Sequence, residues 1–388
     1  MVGELYDYMV GLVIVGIIFI SAVSAVPTIS YVNLFQVNQQ QLRNTALNVF
    51  NAMLLGTGYP SDWGSSFPFN ESNVDSFGLA YSRESSLYVL DSDKVQRLDE
   101  ESPGYLTYSR VRELLRLEDY GFHLTIFRPF TVNHDLSILG EETPTRVWFA
   151  VNVTRMEDGR PIPDAQVKCT IMVTAEKLKL EPVAIITSPE TYFTDLLGHC
   201  EASEPIDVPE GYTLTDALAV LEISVAGMST IVVARESQEI QNYVKIYTFG
   251  DTISLKMRDE FEDTAPGEKR VIDISSYNDG ELMQIFDGSD MLPPDLKITP
   301  GEGYVTWSAT FPGIRVTNPL LLLYTLRVKN PDRLIMIAGP LSLGEASKVF
   351  SFGPDSEPFY DVATKLRRYI AISGMIYIAE LTLWREQV

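Results

Sequence analysis

Histidine and cysteine are scarce in this chain of 388 residues, which has three of the first and two of the second. His123, His134 and His199 lie on separate segments, with no His-Glu-x-x-His helix and no metal-ligand spacing. Cys169 and Cys200 have His199 beside them but no further ligands to complete a tetrahedral zinc set, so no metal ligand is assigned. Basic residues are also few, 30 Lys and Arg against 52 Asp and Glu, for a net charge of −22. That balance argues against nucleic acid or anionic lipid as a partner of the soluble part. Phosphate-cradling loops and dinucleotide fingerprints are missing too. The fragment Gly339-Pro340-Leu341-Ser342-Leu343-Gly344 is one residue too long for a nucleophile elbow. The sequence therefore predicts no enzyme, no catalytic residue and no cofactor.

Against these absences stands one long apolar run. From Met9 to Val26 no residue is charged, about the minimum needed to cross roughly 30 Å of hydrocarbon at 1.5 Å rise per residue. Glu4 and Asp7 precede it where a secretory signal would carry Lys or Arg, although Ser21-Ala22-Val23-Ser24-Ala25 has the small residues of a cleavage site. A retained anchor is favoured over a removed signal peptide. Gly11, Gly16, Ser21 and Ala25 are small enough to let neighbouring helices approach, with Met9, Ile20 and Val26 among the apolar residues around them. Past Pro27, where a kink is expected, Val32, Phe35, Leu42, Ala46, Val49, Phe50 and Met53 recur as one face of a helix that Gly56 and Gly58 end.

The length predicts two or three compact units beyond this helix. Residues 56–142 read as a small α+β module, with helices near Ser92 to Leu98 and Tyr108 to Leu117 and Asp91 as a cap. Residues 143–245 are rich in strands bounded by turns, and 246–388 form a second β-rich domain ending in a hairpin across Ser373-Gly374. If the head lies outside the cell, Cys169 and Cys200 are candidates for one disulfide, and Asn70 and Asn152 stand in glycosylation triplets. The oxygen-rich loops Asp91-Ser92-Asp93, Asn278-Asp279-Gly280-Glu281 and Asp287-Gly288-Ser289-Asp290 read as turns rather than ion sites.

Two groups of residues carry resemblances. Ala52-Met53-Leu54-Leu55, Gly58-Tyr59-Pro60-Ser61-Asp62-Trp63, Phe77-Gly78-Leu79-Ala80 and Tyr88-Val89-Leu90-Asp91 with Lys94 and Leu98 resemble archaeal type IV pilin-like surface proteins over about the first 130 residues. Gly159-Arg160-Pro161-Ile162 followed by Ala165 and Val167, then Thr194-Asp195-Leu196-Leu197-Gly198, resemble the immunoglobulin-like modules of bacterial and archaeal surface proteins. The resemblances imply a long stem helix (1–55) anchored in the cytoplasmic membrane or packed in an extracellular filament, carrying an α+β module and immunoglobulin-like sandwich domains. The function expected is a non-enzymatic cell-surface structural protein or tethered adhesin that self-associates through its helix and contacts other surface proteins. The competing expectation is an accessory or ligand-binding subunit of a membrane complex.

Overall fold

The computed structural model describes residues 2–82, 88–139, 145–177, 181–235, 244–258, 271–278, 281–287, 297–301, 304–311, 321–329, 332–339, 350–354 and 363–386. Helix α1 (Val2–Leu55) runs through Pro27 as one element. Side chains of residues 22–36 lie outside the description, and with them Ala25, Val26, Val32 and Phe35. Leu42, Ala46, Val49, Phe50, Met53 and Leu54 are buried in the protein's own core. Each large apolar side chain buried this way contributes about 1.5–3 kcal/mol.

The end of α1 explains the glycine-rich turn that follows. Leu79 N donates to Met53 O at 2.7 Å and Ala80 N to Gly56 O at 2.9 Å, so the passing segment satisfies carbonyls at the helix terminus. A Cβ on Gly78 would lie 2.2 Å from Gly56 O, and Gly58 has φ +73°, so only glycine permits this approach. Trp63 closes the turn by donating from its indole nitrogen to Gly78 O at 3.2 Å.

Three short elements follow: β1 (Val89–Leu90), α2 (Ser92–Gln96) and α3 (Tyr108–Leu114). Asp91 caps α2 by accepting from Asp93 N, and Thr107 caps α3 by accepting from Arg110 N. The chain then becomes almost entirely β. Strands β2 (Tyr120–Phe127), β3 (Phe130–Leu139), β4 (Thr145–Arg155), β5 (Gln166–Lys177), β6 (Glu181–Ile186), β7 (Glu190–Phe193), β8 (His199–Ile206), β9 (Thr213–Val225) and β10 (Met228–Arg235) occupy the middle of the chain. Beyond them run β11 (Val244–Phe249), β12 (Thr252–Arg258), β13 (Val271–Asn278), β14 (Glu281–Asp287), β15 (Lys297–Pro300), β16 (Tyr304–Thr310), β17 (Leu321–Lys329) and β18 (Asp332–Gly339). Last come β19 (Phe350–Phe352), β20 (Ala363–Ile372) and β21 (Met375–Arg385).

Two antiparallel sheets, β3-β4-β8 and β10-β9-β5-β6 with β7 also on β5, face each other across one core. Period-two alternation supplies it: Phe130 and Val132 from β3, Val147, Phe149 and Val151 from β4, Val167 and Ile171 from β5, Leu221 and Ile223 from β9. The larger sheet is apolar on its other face as well. Met172, Leu218, Val220, Ile231 and Val233 turn away from the sandwich into a second core shared with α1, β2 and β21. Burial on both sides is why β9 reads as the near-continuous apolar run Ala217 to Leu221.

The expected fold class requires correction. The protein is mainly β, and no helix among the described residues is long and apolar enough to cross a membrane. A membrane stem bearing separate modules is thus not the organisation seen. The α+β module is not self-contained either, because its sheet has the order β1-β20-β21-β2-β19 and draws three of five strands from the C-terminal end. The two-sheet unit also begins at Phe130 rather than at residue 143, since β3 is one of its strands.

Candidate functional site

Three regions bear on function, and the first two hold most of the residues singled out from the sequence. The first is the apolar length of α1. From Met9 to Ile20 every large apolar side chain is exposed, from 43% at Val10 to 77% at Leu12, and no polar face interrupts them. Added Cβ atoms on Gly11 and Gly16 would meet nothing within 4 Å. A helix apolar on all sides is normally covered by something else, and small residues on it allow a second backbone to come close.

The second is the sandwich. Cys169 and Cys200 sit on β5 and β8 as buried free thiols, so the expected disulfide is corrected. Burial pushes both thiols up, aided by Glu204 near Cys169 and by Asp195 near Cys200, which removes them as nucleophiles at neutral pH. Asn152 and Asn70 are both exposed. The Asn152 Oδ1 lies 3.1 Å from His199 Nδ1, and the Asn70 Oδ1 accepts from Ser72 N at 3.0 Å. The histidines are not brought together. His123 contacts the carbonyls of Gly353 and Pro354, whereas His134 is held neutral by burial and by the nearby Arg128 charge. Among the described residues no group of three metal-ligating side chains occurs. The loops at 278–281 and 287–290 fall partly outside the described residues.

The third is the seam where α2 meets β11, which sequence reasoning missed. Lys94 is fully buried and donates to Thr57 O at 3.0 Å and Ala80 O at 2.8 Å, with Asp91 at 3.8 Å. One turn on, Arg97 donates to the carbonyls of Gly64, Ser66, Pro103 and Gly104. Its guanidinium lies 4.5 Å from the Phe69 ring centre and 3.4 Å from that of Phe249, a cation held against two rings. Burial pulls the Arg97 pKa down and Asp93 opposes it; four carbonyl acceptors keep the group charged. Gln96 pairs twice with Thr248, donating to its hydroxyl at 3.2 Å and accepting from its N–H at 2.9 Å. Asp93 accepts from Gly250 N at 2.8 Å, and Tyr247 donates to Asp99 at 3.0 Å. Only the cap residue Asp91 and the spacing to Lys94 and Leu98 signalled this region, because the hydrogen-bond partners lie 6 to 157 positions away.

Beside the seam lies a cleft of about 590 Å³ between residues 69–71 and 100–107 on one side and β12 and β16 on the other. Its lining mixes carboxylates, an amide, an ammonium and tyrosines. Neither protein-family profiles nor curated protein sequences match this chain.

Proposed function

We propose that this chain is a non-enzymatic structural protein of the cell exterior that assembles with further copies of itself through the apolar length of α1. The observation that carries the reading is the unbroken exposure of apolar side chains from Met9 to Ile20 on a helix whose later turns are packed into the core. Leaving that surface in water costs about 25 cal/mol per Å² of apolar area, so association is favoured as soon as copies meet. Gly11 and Gly16 support a protein partner, since a close backbone approach rewards helix packing more than it rewards contact with fluid chains. The exposed Asn152 triplet supports an exported head.

Light scattering on the full chain tests this. The expected result is a species larger than a monomer, converted to monomer by Leu12→Glu combined with Ile18→Glu with no loss of β-sheet signal. A wild-type chain that stays monomeric up to high concentration, or that floats with neutral lipid vesicles without self-associating, would refute it. A second reading, an accessory or ligand-binding subunit, is favoured by one observation, the cleft beside β12 and β16.

A further inference from the structure

We propose that this cleft binds a neutral saccharide, of one to two sugar units. Glu71 is fixed in place because Thr107 donates to its Oε2 from both the backbone N–H at 3.0 Å and the hydroxyl at 2.8 Å. Glu100, exposed beside it, adds a second acceptor group. On the opposite wall Lys256 is pinned by a bond to Glu101 O at 3.1 Å and by the Tyr304 ring, whose centre lies 4.1 Å from its ammonium. An anion entering the cleft meets the carboxylates of Glu71, Glu100 and Glu101, the last of them paired with Lys245 at 2.8 Å, and a cation meets the Lys256 ammonium. An apolar ligand would displace water from the exposed Glu100 carboxylate and the Lys256 ammonium without replacing its hydrogen bonds. Hydroxyl groups both donate and accept, so a polyol can meet the carboxylates and the ammonium in the same space.

Shape and aromatic content agree. A volume of about 590 Å³ falls inside the roughly 300–1,000 Å³ range of small-molecule sites. Tyr105, 41% exposed, offers an accessible ring for the C–H face of a sugar, and its hydroxyl adds a polar tip. Asn70 lines the same cleft, and because its Oδ1 already accepts from Ser72 N, its NH2 remains as a donor. Ser102, only 4% exposed, lines the cleft with a hydroxyl that has no hydrogen-bond partner among the described residues. The walls come from the two sides of the α2–β11 seam, so the bonds of Arg97 and Gln96 hold the cleft open at a set width.

Saturation-transfer nuclear magnetic resonance on the full chain, with glucose, galactose, N-acetylglucosamine and their β1,4-linked disaccharides as probes, tests the assignment. The expected result is saturable binding of at least one probe in the millimolar range. Glu100→Gln and Tyr105→Ala, both at exposed positions, each weaken it at least fivefold without moving the thermal midpoint. Saturable binding that neither substitution affects places the sugar elsewhere and overturns the proposal. So does the absence of binding by every probe, or preferential binding of the cation agmatine. Self-association of α1 is read separately by light scattering, so failure of either proposal is distinguishable from failure of the other.

Discussion

Lys94 shows how much one side chain organises here. A lysine with no exposed surface is rare, and this one holds Thr57 and Ala80 together from the middle of a five-residue helix. Burial pulls its pKa down and Asp91 pulls it back, which keeps the ammonium beside a carboxylate and two carbonyls. Lys94→Met preserves most of the volume and leaves both carbonyls without their donor. We expect a loss of about 2–4 kcal/mol in urea unfolding, from unsatisfied acceptors at 1–3 kcal/mol each. An unchanged midpoint would mean that the clamp contributes nothing. From sequence, Asp91 was readable as a cap because capping is local chemistry. Burial of Lys94 was not readable, because its acceptors are 37 and 14 residues away along the chain.

At the scale of elements, the β20–β21 hairpin was legible and its neighbours were not. Ser373 and Gly374 have φ +48° and +80°, the left-handed pair that a two-residue turn between twisted strands requires, and the flanking residues alternate. Its cross-strand pair Arg367 and Glu380 carries a pH prediction. Burial pushes the Glu380 pKa up, but hydrogen bonds from Lys365 and Arg367 outweigh it and bring the net value below the ordinary carboxylate range. A carboxylate depressed in the folded state stabilises above its unfolded pKa of about 4.3, and that contribution is lost as pH falls through the folded value. Glu380→Gln should therefore cost about 1 kcal/mol at pH 7, a small figure because both basic partners are half exposed. The gap between the two thermal midpoints should narrow progressively as pH falls below the unfolded value of about 4.3. A constant gap would assign the effect to packing instead.

For the whole molecule, the decisive feature is that the last strands complete the first module. Ending the chain at Pro354 removes β20 and β21, the strands between β1 and β2, and uncovers apolar residues on α1, β2 and the shared face of β9 and β10. We expect such a chain to lose amide protection in α1 and β2, with dye-detectable apolar surface, and full protection there would refute the shared-core account. The apolar run at Met9 and its helical form, the helical face from Leu42 to Met53, the turns and the strand character of the remainder were all determined by sequence. Those are periodicities and backbone preferences that act over a few residues. Only the tertiary structure decided that β3 joins the sandwich, that the terminal hairpin enters the first sheet, that Cys169 and Cys200 stay apart as thiols, and that Glu100 and Tyr304 face one cleft. Strand partnership between distant segments is set by which apolar faces bury each other best, a sum over the entire chain that no local pattern contains.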